Sequence, residues 1–265
     1  MKEGSRLAAD IGGTFTDVAF FDEDTGQMRL GKTLSTPRHM VEGIVHGVEK
    51  AGTQFQDAEL FLHGSTVAIN TLVERKGART ALLITEGFRD IYEIGRINRP
   101  DAYNLFFRKH VPLVERALRF EVHERLTAEG TVHIPLDETG VHAICDRLLE
   151  QRIEAVAILL LHCYANPKHE IRVREIVEQR MPGVFVTTSH ELSQEYREFE
   201  RCSTTVANAY VGPIMSRYVA EIDSRLKQSG LAGRFSSCSP PAACTNRLRR
   251  KNNAYGCSSP GPQQA

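Results

Sequence analysis

Apolar positions alternate or recur at helical spacing from Leu7 to Gly230, and each change of period marks an element. Leu7 to Ala9 and Val18 to Phe21 are short apolar runs on either side of an acidic, glycine- and threonine-rich stretch, which predicts two antiparallel strands joined by a turn. Val18 to Phe21 and Gln27 to Thr33 flank the polar cluster Asp22 to Gly26, a second hairpin. Between Arg38 and Ala51, Val41, Ile44, Val45 and Val48 recur at helical spacing, with Pro37 before them and Gly52 after, so a helix is expected over one face of the sheet. Leu60 to Leu62 reads as a short buried strand, Val67 to Lys76 as a helix that Gly77 ends, and Arg79 to Thr85 as another buried strand. Phe88, Ile91 and Ile94 then return to helical spacing.

Further on, Leu118, Phe120 and Val122 alternate, Glu129-Gly130 turns, and Val132 and Ile134 follow, which reads as an inserted β-hairpin with one solvated face. Val141, Ile144, Leu148 and Leu149 line a helix, and Ala155 to Leu161 is a fully buried strand. Asn166-Pro167 caps and opens another helix, Pro182-Gly183 ends it, and Val184 to Thr187 is the next strand. Helix, strand, helix, strand implies a parallel crossover. From Ser193 a long helical pattern runs through Phe199, Cys202, Val206 and Tyr210. It is interrupted at Gly212-Pro213, where a kink is expected, and resumes through Met215, Tyr218, Val219, Ile222 and Leu226.

Composition narrows the class. A chain of 265 residues, 41% hydrophobic and 25% charged, buries a sizeable core in one or two domains. Its formal net charge of zero gives no global field to recruit nucleic acid or an anionic membrane. No apolar signal core follows Met1 to Arg6, and the longest apolar run, Ala155 to Leu161, is far short of a membrane span, so a cytoplasmic location is expected. The six cysteines form no CxxC pair, which argues against a zinc site.

The candidate chemistry lies in Asp10-Ile11-Gly12-Gly13-Thr14-Phe15-Thr16-Asp17. Gly12 and Gly13 allow positive φ and bring backbone N–H groups close to a phosphate. Thr14 and Thr16 add hydroxyl donors, and Asp10 or Asp17 could hold a magnesium ion, directly or through water. A turn between antiparallel strands is neither a Walker loop nor a dinucleotide fingerprint, both of which open a helix. The plainer alternative is a hairpin that needs glycines only to turn. His63, Ser65 and Thr66 fall at a strand end and helix start, a second place for a phosphate or polar substrate. The alternative there is helix capping by Ser65 or Thr66 beside a satisfied buried histidine. Arg96 and Arg99 flank Ile97-Asn98, just before Pro100, where a guanidinium fork could clamp a carboxylate or phosphate; exposed arginines are otherwise simply solvated.

The turn resembles the first phosphate motif of the actin-like ATPases. Together with HGSTVAINTLVERKGARTALLITEGFRDIYEIGRINRPDAYNL from His63 to Leu105, DIGGTFTD resembles the hydantoinase/oxoprolinase family, with Ser65 where the family more often has threonine. The resemblance implies an α/β chain, an actin-like (ribonuclease H-like) ATPase half with a mixed sheet and flanking helices, followed by a second α/β unit. It implies ATP and magnesium, with Asp10, Gly12, Gly13, Thr14, Thr16 and Asp17 binding the nucleotide, Asp10 and Asp17 the metal, and His63, Ser65, Thr66 and Arg96 orienting the acceptor. The implied reaction is ATP-dependent opening of a cyclic amide such as a hydantoin or 5-oxoproline, through phosphorylation of the amide oxygen. The related alternative is a subunit of an acetone- or acetophenone-type carboxylase. A non-catalytic remnant that folds or binds a partner is the reading from another class. A second hydantoinase-type subunit and an oligomer are compatible with the resemblance.

Beyond Phe235 the pattern loses its period. Moved on by two nucleotides, codons for Phe235 to Asn246 can read LFMQSAGGMYQ and those for Cys257 to Ala265 LESGPAAG, both resembling the family's continuation after the long helix. Residues 236–265 are therefore expected to be an out-of-frame, disordered tail of a truncated chain. The first sheet is expected to occupy 1–112, and the hairpin insertion, second α/β unit and kinked helix 113–235.

Overall fold

The computed structural model describes residues 4–36, 40–96, 103–107, 111–231 and 234–238. In chain order they begin with strands β1 (Arg6–Ile11), β2 (Phe15–Asp22) and β3 (Gln27–Leu34), helix α1 (Met40–Lys50), strand β4 (Leu60–Ser65) and helix α2 (Val67–Val73). Strand β5 (Thr80–Thr85), the short helix α3 (Ile91–Ile94), strands β6 (Arg119–Val122), β7 (Arg125–Leu126) and β8 (Val132–Ile134), and helix α4 (Glu138–Glu150) follow. The chain continues through β9 (Ala155–Leu159), α5 (Lys168–Arg180), β10 (Phe185–Thr188), α6 (Ser189–Leu192), α7 (Glu198–Gln228) and β11 (Arg234–Cys238). They divide into two compact units, Met1–Asn70 with Met215–Ala265, and Thr71–Ile214.

The first unit holds a mixed sheet in the order β11-β4-β1-β2-β3. β1 to β3 form an antiparallel meander, while β4 runs parallel to β1 and β11 parallel to β4. The period-2 pattern sends Leu7, Ala9, Ile11, Thr16, Val18 and Phe20 inward and leaves Asp10 and Asp17 outside. Helix α1 lies on the inward face through Val41, Ile44 and Val48, and comes very close to β3. A Cβ on Gly31 would sit 2.0 Å from the Gly47 carbonyl oxygen, so only glycine allows this approach.

The second unit is built on a wholly parallel sheet, β10-β9-β5-β6. β5 and β9 are buried along their whole length, the signature of strands covered on both faces. Leu83, Val156 and Ile158 pack with Val141, Ile144, Leu148, Val173 and Val177 of α4 and α5, whereas Leu82, Ile84, Ala157 and Leu159 pack with Cys202, Val206 and Ala209 of α7. Beyond the carboxyl ends of these strands lies a buried polar cluster. Glu170 accepts from the Leu160 amide (2.9 Å), the Ser189 hydroxyl (2.7 Å), and the His190 amide (3.0 Å) and ring (2.7 Å). Burial alone would raise its carboxyl, but the bonds from His190, Ser189 and the two amides hold it below the usual range. Arg201, 1% exposed, donates to the Leu160 carbonyl, Ser189 and Cys163.

Several sequence expectations need correction. The units part at Asn70/Thr71 and Ile214/Met215 rather than at residue 112, and β5 is an inner strand of the second sheet. β6 joins that sheet as an edge strand, so only β7 and β8 form the expected hairpin. Helix α7 runs through Pro213 without interruption. An internal proline costs about 3 kcal/mol, but Ala209, Tyr210 and Val211 before it and Met215 and Tyr218 after it in the helix are all buried. At about 1.5–3 kcal/mol for each large apolar side chain, their burial outweighs that cost. β11 carries regular structure to Cys238, past the Phe235 boundary expected from composition. Pro37, Arg38, Arg99 and residues 239–265 lie outside the described residues.

Candidate phosphate-binding site

The antiparallel pairing of β1 with β2 sets Asp10 directly opposite Asp17, and the flanking pairings extend the row to Gly64 on β4 and Lys32 on β3. All four positions therefore share one face of the sheet. Like charges placed opposite each other on paired strands are destabilising, and Lys32 offsets part of this through a 2.9 Å ion pair with Asp17. Gly64 leaves room for Asp10, because a Cβ there would lie 3.1 Å from the Asp10 Oδ1. The row thus offers two carboxylates and one ammonium at the exposed end of a hairpin.

The turn is braced from both sides. The Gly12 amide donates to the Phe15 carbonyl (2.9 Å), the Ser35 hydroxyl to the Gly12 carbonyl (2.8 Å), and the Ser35 amide to the Thr14 carbonyl (2.9 Å). From the other side the Thr66 amide and hydroxyl both donate to the Ile11 carbonyl, at 3.2 and 3.1 Å, and the Asn70 amide group donates to the Thr66 hydroxyl (3.3 Å). Gly13 and Thr14 remain exposed at the tip, their N–H groups without an acceptor among the described residues. A braced, exposed tip with two unpaired N–H groups and a threonine hydroxyl can serve as an anion cradle. Contrary to expectation, neither Gly12 nor Gly13 takes positive φ. At Gly12 the constraint is space, since a Cβ would meet the Phe15 carbonyl oxygen at 3.1 Å.

The structure brings Asp10, Gly12, Gly13, Thr14 and Asp17 together around the tip, but separates the other residues by role. Thr16 is fully buried on the opposite face and bonds Ser35 (3.1 Å), so it braces the turn from beneath. Ser65 pairs in register with Ile11, is 8% exposed, and caps α2 by accepting from the Val67 amide at 3.2 Å. His63 lies inside β4 rather than at its end and is 1% exposed. Its Nδ1–H donates to the Ala9 carbonyl (3.1 Å), and its Nε2 accepts from the Tyr218 hydroxyl (2.5 Å), a tautomer dictated by a carbonyl that can only accept. Burial holds this imidazole at about 4, far below its ordinary 6.5, against the raising influence of the Ala9 carbonyl and Asp10. Arg96 belongs to the second unit, where both ends of its fork are taken by Glu200 at 2.8 Å.

Gly64, Lys32, Ser35, Asn70 and Tyr218 escaped sequence reasoning. Asn70 could have been found, four residues after Thr66 on one helix face. Lys32 alternates correctly on β3 to meet Asp17, but its register depends on the hairpin length. Gly64, Ser35 and Tyr218 carry no local signal, because their partners are distant in sequence.

A divalent cation suits the donor set. Asp10 and Asp17 supply hard carboxylate oxygens from one face, and the Gly64 cleft keeps Asp10 free to move; magnesium typically takes one or two such carboxylates and completes its shell with water and phosphate oxygens.

The model of the hydantoinase/oxoprolinase N-terminal region matches residues 6–181. An uncharacterized protein of Methanocaldococcus jannaschii is 39% identical over 89% of this chain and 35% of its own length. The caprolactamase subunit alpha of Pseudomonas jessenii is 36% identical over 86% of this chain and 34% of its own length. The crystal structure of that ATP-dependent caprolactamase superposes with a TM-score of 0.78 over 88% of this chain and 35% of the other. A nucleotide-free acetone carboxylase structure superposes with a TM-score of 0.77 at 29% identity, over the same shares. The chain thus spans about a third of the length of these relatives. The architecture is the mixed α/β, helix-flanked fold of the actin-like ATPases.

Proposed function

The chain belongs to the hydantoinase/oxoprolinase family, and on that premise we propose that its β1–β2 hairpin grips the phosphates of magnesium ATP in an enzyme that phosphorylates a carbonyl-derived oxygen of a small substrate. The observation that carries this reading is the Gly64, Asp10, Asp17, Lys32 row beside the exposed Gly13-Thr14 tip. A hairpin that needed only to turn would gain nothing from opposed carboxylates with a glycine cleared beside one of them.

Each residue has a separate task. The Gly13 and Thr14 N–H groups and the Thr14 hydroxyl would hold phosphate oxygens, and Lys32 would position Asp17 through their ion pair. Asp10 and Asp17 would hold the metal, which when bound would neutralise charge on the phosphates. Thr16, Ser35, Thr66 and Asn70 fix the turn so that its donors need no reorganisation when charge moves. His63 and Ser65 act from beneath the site as positioning residues: His63 ties β4 to β1 and to Tyr218, and Ser65 opens α2. Arg96 is proposed to reach an acceptor only after release from Glu200.

Two acceptor classes follow from the relatives, opening of a cyclic amide and carboxylation of a ketone. The caprolactamase likeness supports the first as a lactam rather than as hydantoin or 5-oxoproline specifically. The carboxylating reading has the stronger support relative to hydantoin or 5-oxoproline, from the acetone carboxylase structure and from the acetophenone carboxylase gamma subunit of Aromatoleum aromaticum, 32% identical over 85% of this chain and 34% of its own length. A second subunit of the kind those names indicate is part of the proposal.

Calorimetric titration of the chain with ATP tests the shared step. Binding that requires magnesium and falls at least tenfold in Asp10→Asn, with the melting temperature held, is the expected result. Equal affinity in Asp10→Asn, or no dependence on magnesium, refutes it. ADP release with caprolactam, against acetone or acetophenone plus bicarbonate, separates the acceptor classes.

A further inference from the structure

The second unit contains a cavity that the proposed reaction does not use. It has a volume of about 600 Å³, lies at the free edge of β6, and is lined by Phe120, Ile144 and Arg147 from the α4 side of that strand and by Arg89, Arg116 and Arg119 from the α3 side. From this we infer that the pocket binds a small molecule carrying a carboxylate or phosphate on an apolar body.

The charge pattern decides the ligand class. Arg116 spends its fork on Asp90, at 2.8 and 3.0 Å. Arg119 is tied to Glu93 (3.1 Å) and the Val114 carbonyl (3.1 Å). Arg147 is not spent, and Arg89 is held only by a long ion pair. The Arg89 Nε is buried without a hydrogen-bond partner, and its nearest carboxylate oxygen, on Glu121, is 3.9 Å away, beyond hydrogen-bond range. Glu121 instead accepts from the Gly87 amide at 2.8 Å. Arg147 lies 4.8 Å above the Phe120 ring and has no carboxylate partner among the described residues. Four arginines thus line one cavity and meet three carboxylates, Asp90, Glu93 and Glu121, which leaves Arg147 the cation without a carboxylate partner among the described residues.

Planar guanidinium forks select carboxylate or phosphate, and the Phe120 and Ile144 side chains in the lining favour an apolar body attached to that anion. The volume lies within the roughly 300–1,000 Å³ of small-molecule sites. Gln151 on the rim adds an amide that can donate or accept.

The test is titration of the chain with phenyl phosphate, benzoate and inorganic phosphate, followed through the side-chain Nε–H signals of its arginines by NMR and through melting temperature. Saturable binding that moves the Arg89 and Arg147 signals, with either aromatic anion tighter than inorganic phosphate, is expected. Comparison of the two aromatic probes shows which anion the forks prefer. Arg147→Gln and Arg89→Gln should each weaken binding about tenfold, the scale of one charge-assisted hydrogen bond. Arg147→Lys, which keeps the charge and loses the fork, should fall between, and Asp10→Asn should leave binding unchanged. The inference is overturned by an absence of saturable binding, by equal affinity in both glutamine variants, by aromatic anions no tighter than inorganic phosphate, or by loss of binding in Asp10→Asn. If Arg147→Gln does not fold, an Arg147 signal that stays still in the unaltered chain overturns it equally.

Discussion

Replacing His63 with phenylalanine should destabilise the first unit near neutrality, by an amount that shrinks as the solution is acidified. The ring would keep its stacking on Phe61, 6.1 Å away at 18°, while the Ala9 carbonyl and the Tyr218 hydroxyl each lose the bond to His63, the hydroxyl keeping its bond with Ser65. Leaving buried polar groups unsatisfied costs about 1–3 kcal/mol each. The native imidazole titrates at about 4 in the folded chain and 6.5 when exposed, so below 6.5 the unfolded chain binds the extra proton. The stability His63 provides is complete above pH 6.5 and is lost as pH falls toward 4. For one such site the loss is about 2 kcal/mol by pH 5 and about 3 kcal/mol at and below pH 4. The variant carries no proton there and loses none of it. Urea unfolding of both proteins at pH 7.5, 6, 5 and 4, all as differences between the two, isolates this group from every other titration. A gap that stays constant across the series, or widens on acidification, refutes the buried neutral imidazole and restores an accessible, chemically active His63.

Three further changes probe other parts of the molecule. Gly64→Ala places a methyl 3.1 Å from the Asp10 carboxylate, so it should weaken magnesium ATP binding with little change in melting temperature; calorimetry and a thermal scan read both, and unchanged affinity contradicts the cleared cleft. Lys32→Met breaks an ion pair whose partners are 59% and 58% exposed, so denaturant stability should move by no more than about 1 kcal/mol while nucleotide affinity falls. Arg201→Ala removes a buried donor from the Leu160 carbonyl, Ser189 and Cys163, and urea unfolding should show a loss of about 1–3 kcal/mol; a loss under 1 kcal/mol would mean the cluster holds itself together without the guanidinium.

The hairpin was legible because every signal for it is local: Leu7, Ala9, Val18 and Phe20 alternate around a glycine pair, and the acidic brackets stand within the same short stretch. The parallel crossover from α4 to β10 was legible for the same reason. What failed were judgments that depend on distant partners. His63 and Gly64 interrupt an apolar run, so β4 appeared to stop at Leu62, yet pairing with β1 on one side and β11 on the other extends it to Ser65. β6 looked like half of a hairpin because Leu118, Phe120 and Val122 alternate, and only its pairing with β5 moves it into the second sheet. An interruption was expected at Pro213 because its local cost is visible in the sequence, whereas the burial of the helix on either side of it is not. Arg96 drew notice as an exposed cation, and nothing near it announces Glu200, 104 residues away.

The closing strand of the first sheet has a consequence for synthesis. β4 receives β11, and His63 its hydroxyl donor, from chain made after the whole second unit. At about 5–20 residues per second on a ribosome, the roughly 170 residues between β4 and β11 take on the order of 10–30 s. Through that interval β4 is an open edge beside β1, with the Phe61 ring lacking its stacking partner Phe235. The nascent chain therefore passes through a sticky, half-zipped stage that the finished fold conceals, and its yield in a cell should depend on chaperone capture of the first 70 residues more than on the stability of the completed protein.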